Sequence, residues 1–445
     1  MLIRFVAKNI YSFRDETEFN LFPNKTTRLQ HHKVSRNGFD FLRFSAVYGA
    51  NGSGKSNLIK SILLLETIVE QGKLPSDVDD LKFKLDEKNI SQPVSLAAEF
   101  IADGAAFFYS LTFDKGNILN EYLAVSHKDK DDLIFERNFD ERIPSIRFYN
   151  EYYKTEKENL FAEVLAEKLL PSNEPLITFL AKKYPEDFSS VKSAFNWFDE
   201  TLVVIKPEGK FVGIAHILDK SKSTKDFANS YIPSLDTGIS EIDIEKKRLE
   251  EFIDNKDSSL RKRILEDLKS KPENMSLLTN QETGEEVTLV YENEDVVAKR
   301  MVTKHVNAVG KSIDFNIGHE SDGTKRLIDY IPAFKEIISD EKVYIIDEIE
   351  RSIHPMTIKE IISKLALDEK IKGQLIFTTH ESNLLDQKIF RPDEIWFAQK
   401  DFNGSSKLYS LSDFKIHNTI DIENGYLKGR FGGIPFLGNL RDLSW

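Results

Sequence analysis

The spacing of hydrophobic and polar residues predicts a strand-rich beginning. Apolar and polar positions alternate over short stretches, and turn signals separate these stretches. From Asn57 to about Val69 the apolar residues instead follow helical spacing. The stretch between Lys25 and Arg36 is interpreted as a polar, basic loop. The predicted strands are Leu2–Ala7, Glu18–Phe22, Phe44–Tyr48, Val94–Ile101, Phe107–Phe113 and Ile118–Val125.

The middle of the chain, from about Asn150 to Gly284, is charged, mostly helical in pattern and interrupted by prolines. Its stretch Ile242–Lys271 is dense in Lys, Glu and Arg, which predicts a solvated helical arm or lid. The basic cluster at residues 261–263, with Lys269 and Lys271, could contact phosphates, but a solvated helix face is favoured. No heptads are sustained, so we do not expect a long coiled coil.

The last part of the chain again alternates between strands and helices, as in an α/β domain. We therefore predict an α/β protein in three segments: residues 1–149, a mainly helical insertion at residues 150–285, and residues 286–445. The predicted elements of the last segment are strands Glu286–Tyr291, Ser312–Ile317, Val343–Ile346, Leu375–Thr378 and Glu394–Ala398, and helices Thr357–Leu367 and Ser382–Gln387.

Composition excludes several classes of protein. The 445 residues are 40% hydrophobic and 30% charged, which is ordinary for a globular protein, and no run approaches the ~20 apolar residues of a membrane span. No secretory signal is found, and the absence of cysteine excludes disulfides and thiolate sites, so we expect a cytoplasmic protein without membrane partners. The net charge of -12 disfavours broad binding to nucleic acid, although a local basic patch would still permit DNA as a partner.

One glycine-rich segment, residues 49–56, matches the phosphate-loop pattern G-x-x-x-x-G-K-[ST] at every fixed position. Its glycines let backbone N–H groups point inward, where they and the following helix N-terminus bind phosphate oxygens. A glycine-rich turn with a surface lysine is the alternative, but an apolar strand precedes the loop and an amphipathic helix follows it. We predict that ATP binds here, with Lys55 at the β- and γ-phosphates and Ser56 on Mg²⁺. The predicted binding residues are Gly49, Asn51, Gly52, Ser53, Gly54, Lys55, Ser56 and Asn57.

Two carboxylates, Asp347 and Glu348, end the hydrophobic strand that begins at Val343. The carboxyl ends of such buried strands face the ligand crevice of an α/β sheet. Asp347 is predicted to hold Mg²⁺ through water, and Glu348 to orient or deprotonate the attacking water. An acidic surface turn is the alternative interpretation, and the phosphate loop makes it the weaker one.

His380 closes the next apolar strand, where an imidazole can contact the γ-phosphate or the attacking water. We therefore predict a catalytic role for it beside Glu348. The remaining histidines that we assessed are interpreted as structural: His31, His32, His305 and His417.

In this order, the phosphate loop, the carboxylate pair, His380 and the segment Glu320-Ser-Asp-Gly-Thr324 resemble an ABC ATPase head. The resemblance implies that Ser321 and Gly323 contact the γ-phosphate bound by the opposite protomer. Asp322 and Thr324 depart from the common Leu-Ser-Gly-Gly-Gln form. Read without the family, Ser321 or Asp322 is the N-cap of a helix over Lys325–Tyr330.

The chain more closely resembles the RloA/AbiLi-like ATPases, a branch of SMC-type proteins in bacterial anti-phage systems. The resemblance implies a P-loop NTPase of ABC/SMC type, with mixed sheets, flanking helices and a helical insertion. It places Ser352–Pro355 at the ABC D-loop, whereas neither Gln71 nor Gln92 suits a Q-loop. The motifs that carry it are Glu320–Arg326, Ile346–Pro355, Phe377–His380, Asp393–Phe397 and Gly425–Pro435.

The first functional hypothesis is an ATP-driven switch in phage defence that hydrolyses ATP slowly, with Mg²⁺, and forms a homodimer or larger homo-oligomer through its heads. After His380 only a strand and a short tail remain, so we expect effector chemistry from a separate protein, such as a Toprim-type nuclease. The alternatives are an SMC-like DNA-repair ATPase and a scaffold that binds ATP without hydrolysis, which the intact Glu348 disfavours. A transporter subunit fits the large insertion less well. The tail Gly425–Pro435 is interpreted either as a docking surface or as a seal on the sheet edge.

Overall fold

The computed structural model describes residues 1–140, 143–149, 152, 156–249, 258–271, 274–279, 286–415 and 420–434. The strands are β1 (Leu2–Lys8), β2 (Thr17–Asn20), β3 (Lys33–Arg36), β4 (Phe39–Leu42), β5 (Phe44–Tyr48), β6 (Val94–Ala102), β7 (Ala105–Asp114), β8 (Asn117–Val125), β9 (Asp132–Asp140), β10 (Ile143–Phe148), β11 (Leu202–Ile205), β12 (Ile239–Arg248), β13 (Met275–Thr279), β14 (Glu286–Glu292), β15 (Asp295–Val306), β16 (Ser312–Asn316), β17 (Val343–Ile346), β18 (Gln374–Thr378), β19 (Ile395–Lys400) and β20 (Ser406–Ser410). The helices are α1 (Lys55–Gln71), α2 (Glu87–Ile90), α3 (Glu156–Val164), α4 (Leu176–Lys183), α5 (Ser189–Asn196), α6 (Ile214–Lys220), α7 (Lys222–Tyr231), α8 (Ser258–Ser270), α9 (Asp322–Asp329), α10 (Ile331–Ser339), α11 (Pro355–Ala366) and α12 (Ile422–Leu427).

The chain forms two compact units. The first contains Met1–Pro207, Ile337–Ile349 and Lys359–Trp445, and the second contains Glu208–Glu336 and Glu350–Ile358. The segment between residues 150 and 285 is therefore divided between the two units. No helix in the described ranges combines the length and the apolar character that crossing a membrane requires.

A mostly parallel sheet carries the strands that precede the predicted site residues. Its order is β11-β17-β18-β5-β19-β20, and every neighbouring pair is parallel except β19 with β20. Strands β5, β17 and β18 are buried along their whole length, as their mostly apolar sequences predict. The carboxyl ends of parallel strands share one edge of the sheet, so Gly49 and Asp347 emerge at the same edge, on either side of the end of β18.

An antiparallel sheet completes the first unit, in the order β10-β9-β8-β7-β6-β1-β2. Helix α1 lies in the same buried cluster as both sheets: its Leu58 and Ile62 join Ile345 of the parallel sheet and Phe100 of the antiparallel sheet. Gln374, buried at the start of β18, donates to the carbonyl oxygens of Leu2 (2.9 Å) and Leu42 (2.7 Å) and so ties these layers together.

The second unit contains a sheet in the order β12-β15-β14-β13, with β16 also paired to β15. The prediction of a helical arm over Ile242–Lys271 is wrong at its beginning, because β12 extends to Arg248. The charged residues that suggested a solvated helix instead pair across strands, as Lys304 does with Glu241 at 3.0 Å and with Asp243 at 3.0 Å. The later part of this stretch is helix α8, on which Lys262, Arg263 and Lys269 are exposed; the side chain of Arg261 lies outside the described residues.

Two smaller predictions are also wrong. The end of the polar stretch between Lys25 and Arg36 is a strand, β3, which pairs with β4 as a hairpin. The predicted helix over Ser382–Gln387 is a three-residue 3₁₀ turn, Ser382–Leu384, because Leu385 leaves helical geometry with ψ of 64°. In contrast, the predicted strands Phe44–Tyr48 and Val343–Ile346 coincide with β5 and β17, and α1 extends the predicted helix by two residues at each end.

Candidate functional site

The glycine-rich segment connects β5 to α1 as a tight loop. Gly49, Gly52 and Gly54 have φ of 155°, 73° and 113°, in the region that favours glycine. A Cβ atom at Gly49 would lie 2.5 Å from the carbonyl oxygen of Ala398, and one at Gly54 would overlap the hydroxyl of Ser406. Gly49 and Gly54 therefore leave no room for a Cβ atom, whereas Gly52 is favoured by its backbone conformation alone.

Lys55 begins α1 and is buried, with 5% of its surface exposed. Its Nζ donates to the carbonyl oxygens of Gly49 (2.7 Å) and Ala50 (3.3 Å), which places the ammonium over the first residues of the loop. A cation held beside a glycine-rich loop at a helix N-terminus favours the binding of an anion there.

Ser56 and the two carboxylates meet at the edge of the sheet. The Ser56 hydroxyl donates to Oδ1 of Asp347 at 3.2 Å, and the Thr378 hydroxyl donates to the same oxygen at 2.5 Å. The Thr378 hydroxyl also accepts from the backbone N–H of Glu348 at 2.8 Å. Glu348 has a left-handed φ of 52°, so the chain turns sharply directly after the strand and Glu348 leaves the sheet toward the loop. Thr378 was not predicted from the sequence, although its place at the end of a buried strand was a usable signal.

An open cleft of about 780 Å³ is lined by the predicted residues of the first unit except Gly49 and Asp347. Glu348, half-buried, and His380, exposed, both line it opposite the loop. Lys400, the last residue of β19, also lines this cleft and was not predicted from the sequence. The lining residues are Asn51, Gly52, Ser53, Gly54, Lys55, Ser56, Asn57, Glu348, His380 and Lys400.

Two serines from distant parts of the chain support the loop from behind. The Asn57 side chain donates to the Ser12 hydroxyl at 2.7 Å, and the hydroxyls of Ser12 and Ser406 lie 2.7 Å apart. Ser406 also donates to the carbonyl oxygen of Ser53 at 2.7 Å. Neither serine belongs to a sequence motif or a periodic pattern, so nothing in the sequence indicated this role.

The histidines interpreted above as structural make hydrogen bonds within the protein wherever the structure describes them. His32 is fully buried between the carboxylate of Glu394, at 2.8 Å, and the carbonyl oxygen of Ala366, at 2.6 Å. Burial raises the pKa of Glu394, while the hydrogen bond from His32 acts in the opposite direction. His305 contacts Glu320 at 2.8 Å, whereas His417 lies outside the described residues.

Ser321 and Gly323 lie in the second unit, at the start of α9. The Ser321 hydroxyl accepts from the backbone N–H of Thr324 at 3.1 Å, so Ser321 is the N-cap of α9. Ser321 is one of the two residues that were predicted as this N-cap. A Cβ atom at Gly323 would lie 2.5 Å from the carbonyl oxygen of Ser352, whose own φ is 64°. The segment around Ser321 therefore packs against the residues that follow the carboxylate pair in sequence.

Comparison with known families identifies the chain. Residues 44–386 match the family described as "AAA domain, putative AbiEii toxin, Type IV TA system". The protein belongs to this AAA domain family. The match covers the phosphate loop, the carboxylate pair and His380, so the predicted P-loop NTPase with an α/β fold is confirmed. The closer relationship to RloA/AbiLi-like proteins stays a prediction.

The AAA domain protein is also similar to solved structures of SMC heads. One, described as the SmcHead bound to the C-winged helix domain of ScpA, has 15% identity and a TM-score of 0.44, covering 92% of this chain and 97% of that chain. The SMC head domain from Thermotoga maritima has 12% identity and a TM-score of 0.38, covering 93% and 99%. The Smc head with an extended coiled coil bound to the C-terminal domain of ScpA, from Pyrococcus furiosus, has 13% identity and a TM-score of 0.39, covering 96% and 98%. No curated protein matches the chain.

The residues of this AAA domain fit a nucleotide with Mg²⁺. The Ser53 hydroxyl is buried in the loop and has no hydrogen-bond partner within the described part of the chain. A buried hydroxyl without a partner costs free energy, and a phosphate oxygen would supply the missing acceptor. Ser56 and Asp347 offer hard oxygen ligands, the type that Mg²⁺ prefers.

The described part of the tail packs on the parallel sheet of the AAA domain. Tyr426 stacks on Phe397 with 5.5 Å between ring centroids, and its hydroxyl donates to the carbonyl oxygen of Gly433 at 3.2 Å. A Cβ atom at Gly432 would lie 2.5 Å from Oε1 of Gln399. These contacts favour the interpretation of the tail as a seal on the sheet edge; Pro435 lies outside the described residues.

Proposed function

We propose that the protein is a Mg²⁺-dependent ATPase that acts as a switch for a separate effector protein. The observation that carries the catalytic part is the 3.2 Å contact between the Ser56 hydroxyl and the Asp347 carboxylate, beside the cleft that Lys55 and Glu348 line. This arrangement joins a phosphate-binding loop, a pair of Mg²⁺ ligands and a base in one site. Membership of an AAA domain family supports nucleotide binding as a general property of the protein.

Each side chain has a defined task in this proposal. The loop N–H groups and Lys55 bind the β- and γ-phosphates, and Ser56 and Asp347 hold Mg²⁺, which when bound neutralises charge on the phosphate oxygens. Glu348 accepts the proton of the attacking water, and His380 donates a hydrogen bond to the γ-phosphate or orients that water. Thr378 fixes Asp347 and the backbone of Glu348 in one geometry, so that both carboxylates keep their separate roles.

Two substitutions test the catalytic part. Lys55→Ala should abolish or strongly weaken ATP binding, because it removes the cation from the phosphate loop. Glu348→Gln should bind ATP with near wild-type affinity and hydrolyse it at least about 100-fold more slowly, because the amide cannot accept the proton. Hydrolysis by Glu348→Gln at the wild-type rate would show that another group is the base.

The biological part of the proposal is a role in anti-phage defence through a partner, with a nuclease of the Toprim type as the expected effector. The family description, which names a toxin and a "Type IV TA system", supports a function in a multi-component system. The test is co-expression with neighbouring genes, followed by pull-down and phage plating of wild type and Lys55→Ala. Full protection by this chain alone, with no co-purifying protein, would contradict the two-component arrangement.

A further inference from the structure

Lys400 is held at a fixed place beside the phosphate loop by the hairpin of β19 and β20. In the register of this antiparallel pair Lys400 lies opposite Ser406, and side chains of opposed residues project from the same face of a sheet. Ser406 points into the phosphate loop, where its hydroxyl contacts the carbonyl oxygen of Ser53 at 2.7 Å. The face of the hairpin that carries Lys400 is therefore the face that docks on the loop.

The ammonium group of Lys400 has no hydrogen-bond or ion-pair partner within the described residues. Its neighbour Asp401 is already engaged, since its carboxylate accepts from the backbone N–H groups of Asn403 (2.9 Å) and Ser405 (3.0 Å) in the hairpin turn. Lys400 thus presents an available positive charge to whatever enters the cleft.

Lys400 lines two neighbouring cavities. The first is the cleft that also contains Ser56, Asn57, Glu348 and His380. The second, of about 620 Å³, is lined by the first half of the loop, Ala50–Ser53, but by neither Ser56 nor Asn57. Both cavities include Asn51, Gly52 and Ser53, so Lys400 lies toward the beginning of the loop.

From these positions we infer that Lys400 binds the terminal phosphate of a nucleoside triphosphate and so distinguishes the triphosphate from the diphosphate. The inference rests on the proposed function, because it adds a residue to the same nucleotide site. A group that contacts only the last phosphate contributes to triphosphate binding and contributes almost nothing once that phosphate has left. Lys400 is exposed, so solvent screening limits its contribution to about tenfold in affinity.

The experiment measures the dissociation constants of AMP-PNP and ADP, each with Mg²⁺, by calorimetry on the full chain. Lys400→Ala should weaken AMP-PNP binding about tenfold and ADP binding less than about twofold, while Lys400→Arg should stay within about threefold of wild type for both. The matched control is Lys407→Ala, on the same hairpin but one residue beyond Ser406, so that its side chain projects from the opposite face. It should leave both constants unchanged.

Three results would overturn the inference. Equal weakening of AMP-PNP and ADP would place Lys400 at another phosphate, and no weakening of either would remove it from the site. An equal effect of Lys407→Ala would reduce the role of Lys400 to a general effect of surface charge. If the wild-type protein binds neither nucleotide, the proposed function itself fails. If the wild-type protein binds both nucleotides but Lys400→Ala does not weaken AMP-PNP binding selectively, only the inference about Lys400 fails.

Discussion

The carbonyl oxygen of Ser352 lies 2.5 Å from the position that a Cβ atom would occupy at Gly323. The neighbouring atom belongs to the backbone, so no side-chain rotation can relieve the contact. Gly323→Ala should therefore lower the free energy of unfolding by about 1–3 kcal/mol, measured by urea denaturation. Asp322→Ala, at a side chain 89% exposed, is the control and should change stability by less than about 0.5 kcal/mol. A Gly323→Ala protein as stable as wild type would contradict the close packing.

The Thr378 hydroxyl holds two neighbouring groups in place, the Asp347 carboxylate and the backbone N–H of Glu348. Thr378→Val keeps the shape of the side chain but removes the donor to Asp347 and the acceptor for the Glu348 N–H. We expect a loss of about 1–2 kcal/mol of stability and a fall of about tenfold or more in kcat, because both carboxylates lose their orientation.

Thr178→Val is the matched control for Thr378→Val. Thr178 is equally buried and donates to the carbonyl oxygen of Val69, near the far end of α1 from the phosphate loop. It should lose similar stability and keep the wild-type kcat. Equal effects of the two substitutions on kcat would mean that Thr378 acts only through stability.

The proposal that ATP is shared between two heads can be tested by mixing inactive variants. Lys55→Ala inactivates the phosphate loop of the protomer that carries it. Ser321→Arg places a bulky cation where the opposite protomer's nucleotide is proposed to bind. An equal mixture should recover about a quarter of the wild-type ATPase activity, because half of the dimers are mixed and each mixed dimer has one intact composite site. Full activity in a monomer, independent of protein concentration, would exclude the shared site.

Glu66 on α1 should make stability depend on pH. Burial raises the pKa of Glu66 to about 8, and the nearby Glu70 adds to the shift. The folded protein thus keeps the proton between about pH 4.5 and 8 whereas the unfolded chain releases it, so stability falls as pH rises through this range.

Glu66→Gln removes this titration. The variant should be about 1–3 kcal/mol more stable than wild type at pH 8, with the difference shrinking toward pH 5, measured by urea denaturation across the range. Glu87→Gln, an identical change at an exposed position of α2, is the control. The same pH slope in wild type and Glu66→Gln would show that Glu66 is not the group responsible.

The arrangement of the phosphate loop and the carboxylate pair was largely predictable from sequence because its signals are local. The phosphate loop lies between an apolar strand and an amphipathic helix, and Asp347 and Glu348 end a strand without polar interruptions. Parallel pairing then brings these ends to one edge of a sheet, a relationship that needs no knowledge of distant contacts.

The parts that were missed depend on contacts between residues far apart in sequence. Ser12 and Ser406 meet at the loop although they are separated by 394 residues, and neither has a pattern of its own. Strand β12 was predicted as part of a helix because its lysines and glutamates resemble a solvated face. Their ion-pair partners, such as Lys304, come from β15 and cannot be assigned from β12 alone.

The order of strands in the parallel sheet has a consequence for synthesis of the chain. Strand β5 lies between β18 and β19, and Gln374 at the start of β18 holds the carbonyl oxygen of Leu42, 332 residues earlier. At about 5 to 20 residues per second, a ribosome needs roughly 17 to 66 s to make the intervening chain. During that time the phosphate loop leaves the ribosome without the strands that flank it in the sheet. The nucleotide site is thus among the last features to assemble, and the apolar β5 is a segment that a chaperone would need to cover first.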